Sequence, residues 1–138
     1  MNRMKALATV FATSVAATLL AVLPAGAASA DNGDGTSNCV SGEICFYWNS
    51  EDRYQKHFYY YGDHGGNNFM DYGAGNNVIS GIPLQDHAWY VRNRDTGCRI
   101  RVGALDINGQ WQWDYIPNDG VKRWLTNTAD RNDRHECG

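Results

Sequence analysis

The sequence has little of what several large classes of protein require. Its 138 residues include only three prolines and no excess of positive charge, since 12 Lys and Arg stand against 15 Asp and Glu. A nucleic-acid partner requires a clustered basic face, and an anionic membrane surface attracts a polybasic segment. We therefore expect neither nucleic acid nor a membrane as a partner of the mature protein.

Motifs of catalysis are also lacking. The chain has no Gly-x-Ser-x-Gly elbow and no His-Glu-x-x-His helix, and its four histidines are scattered singly. Cysteines held in disulfides leave no thiol nucleophile. No pair of acidic residues stands out as a candidate for glycoside hydrolysis. The sequence predicts a protein that is not an enzyme.

No long hydrophobic run occurs outside the first thirty residues, and the run within them is typical of a secretory signal. Two basic residues precede an apolar stretch at 6–23, and small residues at 28–30 fit a signal-peptidase site. The competing interpretation, a membrane anchor, lacks a basic cluster after the run. We expect removal of residues 1–30, secretion of the mature protein, and a flexible leader at 31–38.

The remaining domain, 39–138, contains four cysteines: Cys39, Cys45, Cys98 and Cys137. An even number in a small exported domain predicts two disulfides, for which three pairings are possible. Cys39 and Cys45 are separated by five residues that include Ser41-Gly42, so they can pair locally. That pairing leaves Cys98 with Cys137. A zinc site would need closely spaced Cys or His pairs, and the spacings do not fit one.

Apolar residues alternate with a period of two, which predicts strands rather than helices. Turn-forming Gly, Asn and Asp clusters separate predicted strands at 44–48, 57–61, 88–93, 98–102, 110–115 and 121–125. In the fifth of these the alternation puts Trp111, Trp113 and Tyr115 on one face, which we expect to be the inner one. No helical stripe of useful length occurs, so the sequence predicts an all-β domain.

The two halves of the domain resemble each other. Each opens with a cysteine that leads into a strand, at Cys45 and at Cys98, and each closes with an Asp-bearing segment, at 85–88 and at 132–135. Halves of about forty residues have the size of a four-strand Greek key. We expect two Greek keys packed as a small sandwich around an aromatic core.

The opening Cys39-Val-Ser-Gly-Glu-Ile-Cys45-Phe-Tyr resembles that of actinobacterial secreted peptidase inhibitors with a βγ-crystallin-like fold, of the metalloproteinase-inhibitor type. Segments 86–93 and 96–102 are similar to that family's strand, Asn, Thr-Gly-Cys, strand pattern. Val102, Ile107 and Gly109 keep the spacing of the crystallin motif, with aliphatic residues in place of both aromatics.

This resemblance spans nearly all of the mature chain. It implies a βγ-crystallin-like fold and inhibition of extracellular peptidases. The family's inhibitory loop lies in a second short disulfide loop, which the 39-residue spacing of Cys98 and Cys137 does not provide. No reactive-site residue is therefore carried over.

Crystallin-type domains often bind calcium through Asn, Asp, Ser and Thr oxygens. Three segments at 76–81, 85–90 and 132–137 approach that pattern, but each departs from it, for example with Trp89 and Tyr90 where hydroxyls belong. We expect no cofactor, with calcium as the alternative left open.

Aromatic side chains are the best evidence for a binding surface. Residues 58–61 form an unbroken aromatic run, and the glycine-rich loop predicted at 62–73 carries further apolar residues at its apex. Loops on a disulfide-braced sheet often perform recognition. The competing interpretation is a loop that folds its own aromatics over one end of the core. The candidates for the binding surface are Tyr59, Tyr61, Phe69, Met70 and Tyr72.

Two functions agree with these features. The first is a secreted inhibitor of extracellular peptidases, in which a rigid loop occupies a protease cleft at low entropic cost. The alternative is a secreted glycan- or cell-wall-binding module that uses exposed aromatics. We expect a monomer whose partner is an extracellular protease.

Overall fold

The computed structural model describes residues 36–75 and 78–138. The predicted signal at 1–30 and most of the predicted leader at 31–38 lie outside these residues. Ten strands and no helix occur in the described part of the chain, so the all-β prediction is confirmed. Within that same part, nothing forms a helix of the length and apolarity that crossing a membrane requires.

The strands form two antiparallel sheets. In chain order they are β1 (Ile44–Tyr47), β2 (Tyr54–Phe58), β3 (Gly62–Asp63), β4 (Asn68–Asp71), β5 (Ile79–Pro83), β6 (Tyr90–Asn93), β7 (Ile100–Leu105), β8 (Trp111–Ile116), β9 (Lys122–Trp124) and β10 (Arg134–Cys137). The large sheet has the order β5-β4-β2-β1-β6-β9, and the small sheet has the order β3-β10-β7-β8.

Each sheet contains one strand from the other half of the chain. β3 belongs to the first half but pairs with β10 in the small sheet, where Gly62 faces His135. β9 belongs to the second half but closes the edge of the large sheet, where Trp124 faces Tyr90. The two halves are therefore interlocked by exchanged strands.

The main hydrophobic core lies between the two sheets. Alternate residues of facing strands supply it, because successive side chains of a strand point to opposite faces. Its buried members are Ile44, Phe46, Phe58, Phe69, Leu84, Ala88, Val91, Ile100, Val102, Ile116 and Leu125. A smaller cluster of Cys39, Cys45 and Tyr47 covers the other face of β1, which is why all four residues of that strand are buried.

A chain of polar side chains crosses the core beside Phe46. The Asn132 amide donates to Nδ1 of His64 over 2.6 Å, and Nε2 of His64 lies 2.9 Å from Nδ1 of His135. Nε2 of His135 then donates to the backbone oxygen of Tyr60 over 3.1 Å. This order of donors and acceptors requires both imidazoles to be neutral. Burial, with the His135 ring adding to it, holds the pKa of His64 well below its usual range.

Both disulfides have the predicted pairing. Cys39 is bonded to Cys45 across Cα atoms 6.0 Å apart, and Cys98 is bonded to Cys137 across Cα atoms 6.1 Å apart. The first closes the turn that leads into β1. The second ties the segment before β7 to the end of β10.

The strand predicted at 57–61 is displaced in the structure. β2 ends at Phe58 because its partner β1 begins at Ile44, which faces Phe58, and the ladder has no further residues to pair. The chain then crosses from the large sheet to the small one, and residues 59–61 form that crossing. The prediction of a strand through Tyr61 is therefore wrong.

Candidate functional site

The five predicted binding residues do not form one surface. Tyr59 and Tyr61 are exposed and Tyr72 is half-buried, but Phe69 and Met70 are buried. The prediction of an exposed apex is wrong for Phe69 and Met70, because their segment is β4 and pairs with β2 and β5. Phe69 joins the core between the sheets.

Tyr61 is held by its own hydroxyl. That hydroxyl donates to the Asp95 carboxylate and lies 3.0 Å from Sγ of Cys98. Burial, together with this hydrogen bond, raises the pKa of Tyr61 to about 12. The Tyr61 hydroxyl therefore contacts the second disulfide and is engaged within the protein, while the residue remains exposed.

The hairpin apex, residues 106–110 between β7 and β8, is a rigid projecting turn. The Asp106 carboxylate accepts hydrogen bonds of 2.8 Å from the backbone N–H groups of Asn108 and Gln110, and these bonds lower its pKa. The Gly109 N–H donates to the backbone carbonyl oxygen of Asp106 over 2.9 Å, and Gly109 has a φ of 75°. A β-hairpin closed in this way holds its tip in one conformation.

Ile107 occupies the tip of that apex with its side chain 100% exposed. Leu105, at the end of β7, is also exposed. The Asn108-Gly109 pair indicated the turn, and the sequence distinguished Ile107 only as a member of the crystallin spacing. An isoleucine inside a turn otherwise made of Asp, Asn, Gly and Gln was the signal that could have identified it.

The outer face of the small sheet carries an aromatic stripe. Trp111, Trp113 and Tyr115 point outward from β8, while Asp114 and Ile116 point into the molecule. The prediction that the aromatic set faces inward is wrong. On the inward face of β8, Ile116 joins the core. The buried Asp114 carboxylate on the same face accepts hydrogen bonds from the backbone N–H groups of Asn127 and Thr128.

The central ring of the stripe, Trp113, lies against a glycine. Gly103 faces Trp113 across the β7–β8 ladder, and a Cβ at Gly103 would lie 2.5 Å from Trp113 Cζ3. The Trp113 ring stacks on Trp111 with centroids 5.3 Å apart, and the Arg101 guanidinium lies 4.3 Å from the Trp113 centroid. Arg101 is in turn paired with Glu136. The aromatic faces are thus partly covered by the protein's own cations.

A second aromatic surface, the tryptophan groove, lies at one end of the large sheet. It has a volume of about 400 Å³, within the range of small-ligand sites. Its lining residues are Trp48, Asn49, Ser50, Trp89, Tyr90 and Trp124. The Trp124 ring lies 4.8 Å from that of Trp89 and 5.0 Å from that of Tyr90, measured between centroids. The sequence did not indicate this groove, since its residues lie at or beyond the ends of three strands and follow no period.

Of the three segments that approach the calcium pattern, 132–137 makes hydrogen bonds within the protein. In 132–137, the Asn132 side chain accepts from Ala88 N–H and donates to Leu84 O. The Asp133 carboxylate accepts from Leu105 N–H over 2.8 Å and from the Gln85 amide over 2.8 Å. These oxygens join the loops of the two halves. Two residues of the third segment, 76–81, lie outside the described part of the chain.

One group of potential metal ligands is compact among the described residues, and it consists of Cys39, Glu43 and Cys45. Its two sulfurs are joined in a disulfide and offer no thiolate. The Glu43 carboxylate accepts from Val40 N–H over 2.8 Å and lies 3.3 Å from Nδ1 of His57. This group therefore stabilises the first disulfide turn.

Comparison of the chain with protein-family models, with curated proteins and with solved structures gives no match in any of the three. Function is therefore inferred from the surfaces described above.

Proposed function

We propose that the protein is a secreted inhibitor of an extracellular peptidase and that it acts by inserting the hairpin apex into the enzyme's cleft. The observation that carries the proposal is Ile107, an aliphatic side chain wholly exposed at the tip of a braced turn. Burying such a side chain in a hydrophobic pocket yields about 1.5–3 kcal/mol. Ile107 is also the most exposed large hydrophobic residue of the described part of the chain.

Rigidity supports the same proposal. The Asp106 carboxylate fixes the apex from within, and the six-pair ladder of β7 and β8 holds its base. A loop already in its bound conformation loses little entropy on docking, which strengthens binding without further contacts. The Cys98–Cys137 bond ties the chain just before β7 to the neighbouring strand.

The fold gives independent support to the resemblance from which the inhibitor hypothesis came. The neighbours β4-β2-β1-β6 have the spatial order of a Greek key, and each half of the chain supplies one strand to the other half's sheet. We infer from this order a crystallin-type fold of two interlocked Greek keys. Two disulfides in so small a domain agree with secretion.

The test is a titration of a thermolysin-type metalloprotease and a subtilisin-type serine protease with the purified, oxidised protein. We expect a stoichiometric loss of activity of one enzyme, with the inhibitor recovered intact by mass spectrometry. Ile107→Ser should weaken inhibition by at least about tenfold, because the lost apolar contact is worth more than 1.4 kcal/mol.

Ile79→Ser is the matched control, since Ile79 is 66% exposed on β5 of the other sheet. Its inhibition should equal that of the unmodified protein. Full activity of both enzymes at a large molar excess of the protein would contradict the proposal, as would equal loss of inhibition in the two variants.

A further inference from the structure

We propose that the tryptophan groove binds a neutral oligosaccharide of pyranose rings whose hydroxyls are equatorial. Such a ring has an apolar C–H face and a polar rim. The groove offers the complementary arrangement, with three indoles and the Tyr90 ring as walls and the polar side chains of Asn49 and Ser50 at one side. An aromatic face is electron-rich and attracts polarised C–H groups stacked on it.

Charge supports a neutral occupant. The residues that line the groove include no Asp, Glu, Lys, Arg or His. The Lys122 ammonium lies 5.4 Å from the centroid of the Tyr90 ring. It also lies over the Tyr47 ring at 3.9 Å and is bonded to Ser50 O and to the Asp52 carboxylate. An anionic polysaccharide would find no unpaired cation here, and a cationic ligand would find no carboxylate in the lining.

Polar groups remain available along the rim. Asn49 Oδ1 accepts the backbone N–H of Glu51 over 2.9 Å, which fixes the amide and turns its nitrogen away from that bond. Among the described residues, no side-chain hydrogen bond involves the Asn49 amide nitrogen or the Ser50 hydroxyl. Both groups can therefore bond sugar hydroxyls without breaking a contact within the protein.

The groove is held in shape before any ligand binds. Lys122 on β9 fixes the turn that carries Asn49 and Ser50 through its 2.8 Å bond to Ser50 O. The Trp89 backbone donates to Tyr47 O over 3.0 Å and accepts from Leu125 N–H over 2.9 Å, so it is anchored on both sides. Trp124, on the edge strand β9, remains 47% exposed. Large apolar rings held open in this way are typical of a ligand site rather than of a core.

The experiment titrates the purified, oxidised protein with cellotetraose and with tetra-N-acetylchitotetraose, both neutral, and follows binding by tryptophan fluorescence and calorimetry. We expect saturable binding of at least one of them, with a shift in emission. Trp124→Ala should weaken binding by about tenfold or more, and Trp124→Phe, which keeps a smaller ring, should weaken it less.

Trp111→Ala, on the outer face of the small sheet, is the matched control and should bind as the unmodified protein does. If neither sugar binds at about 10 mM, the proposal is overturned, because an affinity weaker than this is too low for a specific binding site. Equal losses in Trp111→Ala and Trp124→Ala also overturn it. A dimer that Trp124→Ala converts to monomer would assign the groove to a second copy of the chain instead. No residue of the groove belongs to the hairpin apex, so this outcome is independent of peptidase inhibition.

Discussion

His64 lies in the core between the two sheets, in contact with Phe46 at 4.7 Å between ring centroids. Its pKa is held well below 6.5 by burial, so it stays neutral in the folded protein and takes up a proton near pH 6.5 when the chain unfolds. The unfolded state then binds more protons than the folded state, and stability increases with pH through this range.

We therefore predict that the free energy of unfolding is at its full value above about pH 6.5 and decreases as the pH falls below it. The measurement is urea denaturation at pH 8, 7, 6 and 5. His64→Gln removes the titrating ring, so its stability should decrease less over the same interval. A stability that is level from pH 8 to 5 in the unmodified protein would contradict this assignment.

For single residues, the alternation of apolar and polar side chains predicts strands but does not predict which isolated residues are buried. Phe69 and Met70 follow Gly65-Gly66-Asn67-Asn68, and this turn signal predicted a long loop. The structure uses only 64–67 as a connection and then starts β4. The buried histidines had no signal at all, because an isolated His in a polar stretch carries no period. Only the packing of one half on the other puts them side by side.

At the element scale, the pairing of β7 with β8 depends on a glycine. Gly103 leaves room for the Trp113 ring to lie across β7, where Arg101 and Trp111 hold it. A methyl group there would lie 2.5 Å from Cζ3, so the ring would have to tilt and give up its stacking. Overpacking of this kind costs about 1–3 kcal/mol.

Gly103→Ala should therefore lower the free energy of unfolding by about 1–3 kcal/mol, measured by chemical denaturation. Gly62→Ala is the matched control, because nothing lies within 4 Å of a Cβ at Gly62, and it should be neutral. In a Trp113→Ala background the cost of Gly103→Ala should disappear. A cost that persists in this background would locate the strain elsewhere.

The same strand shows why a face cannot be assigned from alternation alone. Period two predicted that Trp111, Trp113 and Tyr115 share a face, and they do. Which face is buried depends on the partner layer, and hydrophobicity favoured the aromatic one. The core instead takes Ile116 and the hydrogen-bonded Asp114, while arginines cover the aromatic rings from outside.

At the scale of the whole molecule, the second disulfide joins segments 39 residues apart. Closing a loop of this length restricts the unfolded chain by about 4 kcal/mol at 25 °C in the entropy model. Cys98 is only partly buried and Cys137 is exposed, so we expect the loss of the cross-link to be the main effect of replacing both.

The double variant Cys98→Ala/Cys137→Ala should thus lose about 4 kcal/mol of stability, measured by urea denaturation without reductant. The unmodified protein with only this bond reduced should lose as much. A loss below about 1 kcal/mol would mean that the unfolded chain is already compact around these residues.

The all-β class and both disulfide pairs followed from composition, period and spacing, because these depend on local chemistry and chain length. The exchange of β3 and β9 between the sheets did not. Both are very short strands whose partners lie more than 30 residues away in sequence. Alternation predicted a strand at 121–125, which contains β9, but it did not predict the two-residue β3. The sheet to which each of them belongs does not follow from the local sequence.

That exchange also determines when the fold can form. The large sheet includes β9, at residues 122–124, and the small sheet includes β10, at residues 134–137. Neither sheet can therefore be complete until most of the second half has been synthesised. A nascent chain holding only the first half has a core open on one side and an unfilled sheet edge. A chain that ends before residue 122 can complete neither sheet, so it lacks the cross-strand pairing that interlocks the two halves.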